Sequence, residues 1–221
     1  MNIVVLDSKY WNKAAKNGIS KQVVVQTITD AVEDVSKILP NIPKYVNIVI
    51  SPTTSDDVIP ETGEIGMTYN DEYVSITFDF TAPYPIEKLR ASLRGTVFHE
   101  LVHTVTFSHE PWSASVLFGL VTEGLATVFE REYSGAKPLW GQYEDDETMQ
   151  EWWDEVNSLP ESGEKNFDYF FNHPDGRKWI AYKTGTWMVD TLVASGEDLF
   201  ALMMMNHREI IKQFEGIRSS S

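Results

Sequence analysis

The chain has 221 residues, of which 33 are Asp or Glu and 18 are Lys or Arg; its formal net charge of -15 repels phosphate backbones and argues against nucleic-acid binding. Hydrophobic residues at 42% and aromatics at 12% suffice for a packed core and exclude a disordered chain. There is no cysteine, so disulfides, thiolate metal sites and cysteine nucleophiles are ruled out.

Along the chain, Val25, Ile28, Val32, Val35 and Leu39 recur with helical period, which predicts a helix over Ser20 to Leu39, capped by Ser20 and stopped by Pro40. Tyr45 to Ile50 reads as a short β-branched strand closed by Ser51-Pro52. Residues 51–66 hold Pro52, Pro60, Gly63 and Gly66 with the acids Asp56, Asp57, Glu61 and Glu64, the composition of a solvated loop. In Tyr73 to Phe80, Val74, Ile76, Phe78 and Phe80 alternate with polar or amphipathic residues, the clearest strand in the sequence. Pro83 and Pro85 punctuate the next segment, and from Ile86 a helical period runs through Leu89, Leu93, Val97, Leu101 and Val105.

A further helix is predicted from Ser113 to Tyr133, thinned at Gly119, Gly124 and Ala126, where a neighbour can approach closely. Between Ser134 and Asn172 only Glu147 to Val156 has helical pattern. Beyond Pro174-Asp175-Gly176, helices are expected over Arg177 to Ala194, Glu197 to Met205 and Asn206 to Phe214. The Met1 to Asp7 segment is not a basic leader with a long apolar run, and Val116 to Phe129, the longest apolar stretch, is interrupted by Glu123; the expectation is a cytoplasmic protein with no membrane partner.

The chemistry concentrates in His99-Glu100-Leu101-Val102-His103, an HExxH motif inside the helix from Ile86. Positions i and i+4 share a helix face, so both imidazoles reach one ion and the glutamate points beside them at a bound water, a geometry that suits zinc. The apolar stripe Leu93, Val97, Leu101 lies roughly 120–200° around the helix from His99, so core face and metal face are distinct.

A zinc hydrolase needs a third protein ligand, and two residues compete for that place. Glu123, in Thr122-Glu123-Gly124-Leu125-Ala126, is an acid inside an otherwise apolar helix and is costly there without a partner. His109 completes the histidine spacing of HExxHxxGxxH, but Thr106 stands where that pattern has glycine, and a β-branched residue resists the positive φ of the required turn. If the helix continues, His109 points about 240° away from His103.

Thr96 to Val105 (TVFHELVHTV) and Leu120 to Phe129 (LVTEGLATVF) resemble the gluzincins, the thermolysin-like zinc peptidases, and especially compact bacterial families of predicted zinc proteases in which an HExxH helix precedes a Glu-Gly-Leu-Ala helix. Weaker likeness covers Gly66 to Phe80 as the strand bordering the cleft, and Tyr182 to Val189. The resemblance implies Zn2+ held by His99, His103 and Glu123, Glu100 as catalytic base, and a peptide or protein substrate. It also implies a zincin-like α+β fold in one domain, with a sheet-containing lobe over about 1–110, a helical lobe over about 111–221, and the cleft between. Many relatives carry an aspartate four residues after the glutamate ligand, where it orients a histidine; here that place is Thr127.

Gluzincin-like sites commonly place a tyrosine or histidine opposite the metal to steady the oxyanion, and Tyr182 is the choice here, with His173 as runner-up. Tyr73 to Phe80 is either an exposed edge that pairs with an extended peptide or an internal strand. Met203-Met204-Met205 and the pair Trp152-Trp153 with Trp140 read as packing, and Glu144-Asp145-Asp146-Glu147 as solvated surface without the spacing of a calcium loop. The leading function is a zinc metallopeptidase; the alternative is a catalytically silent zinc-containing module that binds peptides or proteins.

Overall fold

The computed structural model describes residues 1–54, 58–81, 85–160 and 164–219, and Asp56, Asp57 and Pro83 lie outside them. The chain is α+β, with a four-stranded mixed sheet and eight α-helices among the described residues. It divides into two compact units, Met1–Ser108 with Tyr133–Ala136, and His109–Glu132 with Lys137–Ser221.

The first unit contains β1 (Asn2–Val5), α1 (Tyr10–Lys16), α2 (Lys21–Ile38), β2 (Asn47–Thr53), β3 (Glu64–Asn70), β4 (Tyr73–Asp79) and nearly all of α3 (Ile86–His109). The sheet order is β1-β2-β4-β3, parallel between β1 and β2 and between β2 and β4, antiparallel between β3 and β4. Ile48, Ile50 and Pro52 of β2 and Val74, Ile76 and Phe78 of β4 are buried, alternating with residues that keep more exposure. Trp11 and Tyr10 of α1 pack on Phe78 and Phe80 with ring centroids 5.6 Å apart in both pairs. The helix predicted over Ser20 to Leu39 is α2; the Ser20 hydroxyl accepts from Val23 N–H at 3.2 Å, and Ile28, Val32 and Val35 are buried at their helical spacing.

One expectation is corrected here, and the open alternative for Tyr73 to Phe80 is decided for the internal strand. The segment read as a loop over 51–66 is strand at both ends, because β2 runs on to Thr53 and β3 begins at Glu64. Pro52 is tolerated for a specific reason: Ile50 O accepts from Leu6 N–H, so the β1 side of β2 is where the absent Pro52 N–H would point, and β1 has ended by then. Burying each apolar side chain there is worth roughly 1.5–3 kcal/mol, more than the roughly 1 kcal/mol span of strand propensity that disfavours proline. β4 is internal, flanked by β2 and β3, and β3 is the edge on that side. β1, the first strand of the sheet, and α1, a short helix whose Trp11 and Tyr10 pack on it, have no counterpart in the elements read from the sequence.

The second unit is helical, built on α4 (Val116–Tyr133), α5 (Asp146–Asn157), α6 (Ile180–Ala194), α7 (Leu199–Leu202) and α8 (His207–Arg218), with 3-10 turns at Leu139–Gly141 and Glu164–Tyr169. α4 and α6 meet at Gly124 and Gly185 so closely that a Cβ on Gly185 would collide with the Leu120 carbonyl oxygen. Phe214 of α8 packs edge-on against Trp153 and Trp187, at 5.5 and 5.0 Å between centroids.

Helix ends depart from the sequence pattern where turns and caps intervene. α6 starts at Ile180 and not Arg177, because Asn172 bridges Lys178 and His173 N–H bonds the Arg177 carbonyl at 2.9 Å around Gly176, whose φ is 94°. Trp179 then turns into the helix at φ 60°, an unusual conformation for a bulky residue. The helix expected over Glu197 to Met205 shrinks to α7, since Asp198 caps it and Asn206 opens α8 with a reciprocal capping box to Glu209. α8 extends to Arg218, and α4 begins only at Val116. In the run Met203-Met204-Met205, Met203 is buried core and the other two are half-buried.

Candidate metal centre

α3 is helical without interruption through the HExxH motif and on to His109. His99 and His103 are buried on it at i and i+4, their ring centroids 4.9 Å apart at an interplanar angle of 71°. The His103 ring stacks on Phe107 one turn on, at 5.5 Å, which limits its rotation. Thr106, also buried, keeps the helix going: its hydroxyl donates to the His103 carbonyl at 3.2 Å, and no reversal occurs at that position. His109 is exposed at the last residue of α3.

Glu100 is buried, and its surroundings come from β3. Thr68 Oγ1 donates to Glu100 Oε2 at 2.7 Å, and Gly66 leaves space for the carboxylate, since a Cβ there would collide with Glu100 Oε1. Neither Gly66 nor Thr68 was singled out for a role at the site; the β-prone run Ile65 to Tyr69, ending at the turn residues Asn70-Asp71 before β4, was the signal for a hairpin.

Glu123 lies mid-helix in α4, half-buried between buried Thr122 and Gly124. One ligating atom from each of His99, His103 and Glu123 lies within 4.8 Å of the other two, which makes these three a group able to hold a metal ion. Two imidazoles and a carboxylate are a donor set that zinc takes. Thr127, where relatives of the resembled type carry aspartate, is fully buried; its hydroxyl has no hydrogen-bond partner among the described residues, and its methyl sits where a Cβ on Gly141 would be, 2.6 Å away. It is a packing residue.

Within the second unit, Tyr182 lies in the first turn of α6, half-buried among the rings of Trp140, Phe170 and Trp179 at 5.6–6.4 Å. The Gly124–Gly185 contact draws this helix against α4, which carries Glu123. His173 is placed differently: its Nδ1 stands 2.8 Å from Asp175, and its ring lies 4.7 Å from that of Tyr169. Arg177 ties this loop down by pairing with both Asp175 and Glu155, at 2.6 and 2.7 Å. Hydrogen bonding from Arg177 holds both carboxyls below the usual carboxylate range, and burial, reinforced by the bond to Glu155, pushes the Tyr169 phenol up to about 12. Trp140 and Trp153 are buried packing residues, while Arg177 and Lys183 lie over the half-buried Trp152 ring. The acidic run is engaged structurally: Glu144 pairs with Lys183, Asp145 caps α5, and Asp146 pairs with Arg218.

No helix among the described residues is long and apolar enough to cross a membrane. A model of predicted Zn-dependent proteases, DUF2268, matches residues 24–212, a span that takes in β2 to β4, the HExxH helix and α4 to α7. No curated protein and no solved structure matches the chain. With that match over most of its length, and with two histidines and a glutamate grouped so that they could hold a metal ion, the chain belongs to the DUF2268 family of predicted Zn-dependent proteases.

Proposed function

We propose that the protein is a gluzincin-like metallopeptidase in which His99, His103 and Glu123 hold one zinc ion and Glu100 is the general base. The observation that carries this reading is the grouping of those three ligating atoms within 4.8 Å, with Glu100 next to His99 on the same helix. When bound, zinc supplies a Lewis acid that lowers the pKa of a water and polarises the scissile carbonyl. Glu100 accepts the proton of that water as its oxygen bonds to the carbonyl carbon, and passes the same proton to the amine nitrogen as the C–N bond breaks. The edge strand β3, which presents Gly66 and Thr68 toward Glu100, offers backbone groups with which an extended peptide can pair. A silent binding module uses the same ligands but has no need of a base at Glu100.

The experiment is elemental analysis of the purified protein beside hydrolysis of a mixed peptide library. One zinc per chain and zinc-dependent cleavage are expected, both lost in His99→Ala. Zinc retained at full stoichiometry in that variant overturns the site, and zinc without cleavage returns the binding-module reading.

Tyr182 is assigned the electrophilic role toward the substrate oxyanion, supported by its place on the helix drawn against α4. Tyr182→Phe should keep zinc content and KM and lower kcat by about 10–10³-fold, the cost of one oxyanion donor. Wild-type kcat would make Tyr182 a packing residue and turn the measurement to His173→Ala.

A further inference from the structure

Three alternate residues of β3 face three residues of α3 spaced one turn apart. At one end the strand carries the carboxylate and the helix the hydroxyls: Ser92 Oγ donates to Glu64 Oε1 at 2.8 Å, and Thr96 Oγ1 to Glu64 Oε2 at 2.6 Å. Glu64 is only 1% exposed, so this is an internal anchor. At the other end the roles reverse. Thr68 Oγ1 lies 2.7 Å from Glu100 Oε2 and 3.0 Å from the Glu100 carbonyl oxygen, and its single proton goes to these acceptors. Between the two ends Gly66 allows close approach, since a Cβ there would stand 2.6 Å from Thr96 Cγ2 and collide with Glu100 Oε1. The spacings agree: two strand residues advance about 6.7 Å and four helix residues about 6 Å, so Glu64, Gly66 and Thr68 stay in step with Ser92, Thr96 and Glu100.

We propose that this ladder is a positioning device for Glu100, in which the Thr68 hydroxyl pins one carboxylate oxygen, Gly66 makes room for the other, and the Glu64 anchor holds β3 in the register that brings Thr68 into reach. The inference rests on the reading of Glu100 as base. A carboxylate on a flexible side chain turns about its terminal bonds, and a hydrogen bond from a hydroxyl to an ionised oxygen is strong enough in a buried site to select one orientation. A base misplaced by about 1 Å costs on the order of 10²-fold, so Thr68 acts through Glu100 without touching the reacting atoms itself.

The test compares Thr68→Val, which keeps the shape and deletes the hydroxyl, with Thr68→Ser, which keeps the hydroxyl; Thr68→Ala carries the same expectation as Val where Val perturbs folding. With labelled casein as substrate of the zinc-loaded protein, Thr68→Val should lower kcat by about 10–100-fold and leave KM within about two-fold, and Ser should restore most of the loss. Zinc content should not change. A second readout needs neither metal nor substrate: thermal midpoints of the zinc-free Thr68→Val, Glu100→Ala and double variants, in which the double should lose less than the sum of the singles. Wild-type kcat in Thr68→Val, a Ser variant as slow as Val, or additive midpoints would overturn the proposal. If Glu100→Gln hydrolyses casein at the wild-type rate, the reading of Glu100 fails; if Gln abolishes hydrolysis and Thr68→Val does not, only the positioning role fails.

Discussion

Glu100→Gln is expected to bind zinc as the wild type does and to hydrolyse peptides about 10²–10⁴-fold more slowly, the range that removal of a general base costs. The amide is nearly isosteric with the carboxylate, and its carbonyl oxygen can still accept from Thr68 Oγ1, which in the wild type lies 2.7 Å from Glu100 Oε2. Gly66 leaves the same room beneath it. The variant therefore keeps its fold and the two imidazoles in place, and loses only the capacity to take up and return a proton. Zinc content, thermal midpoint and kcat measured on one preparation separate these effects. Undiminished turnover at full zinc occupancy would falsify the mechanism, and lost zinc would show Glu100 holding the ligands themselves in place.

The second large effect is expected at Glu123. Glu123→Ala should weaken zinc binding by more than about 100-fold, because even a residue standing behind a ligand contributes about 10–100-fold. His109→Ala should bind zinc unchanged. The physical ground is helix geometry: α3 continues through Thr106, so His109 falls on a different face from His103 and is exposed at the helix end. Competition against a chelator of known affinity measures both variants. Loss of metal in His109→Ala alone would replace the gluzincin assignment with a metzincin-like one.

Several elements were legible because their information is local. In α2 the buried residues Ile28, Val32 and Val35 recur at the spacing of one helix face, and in β4 Val74, Ile76 and Phe78 alternate. The pair His99 and His103 needs only four residues of one helix to share a face, so it could be read from the motif. Helix ends were less legible, because they depend on caps and turns: the bridge between Asn172 and Lys178 delays α6, and the capping box at Asn206 divides two helices.

β3 shows why the rest was hidden. Its Glu64 and Gly66 are poor strand residues taken alone, and they end a segment whose composition resembles a loop. They become a strand because β4 pairs with them and α3 supplies hydroxyls for Glu64 and a carboxylate for Thr68. The order β1-β2-β4-β3, which makes β4 internal and β3 the edge, is likewise a set of pairings between segments distant in sequence. By itself, then, the sequence determined the periodic helices and strand and the histidine pair with its adjacent glutamate, properties of residues within a few positions of one another, and its composition excluded thiolate chemistry. Only the tertiary structure decided which strand forms the edge, which residues cradle Glu100 and that the ligating atoms of Glu123 and the two histidines fall together, since each requires long-range packing to bring separate segments into contact.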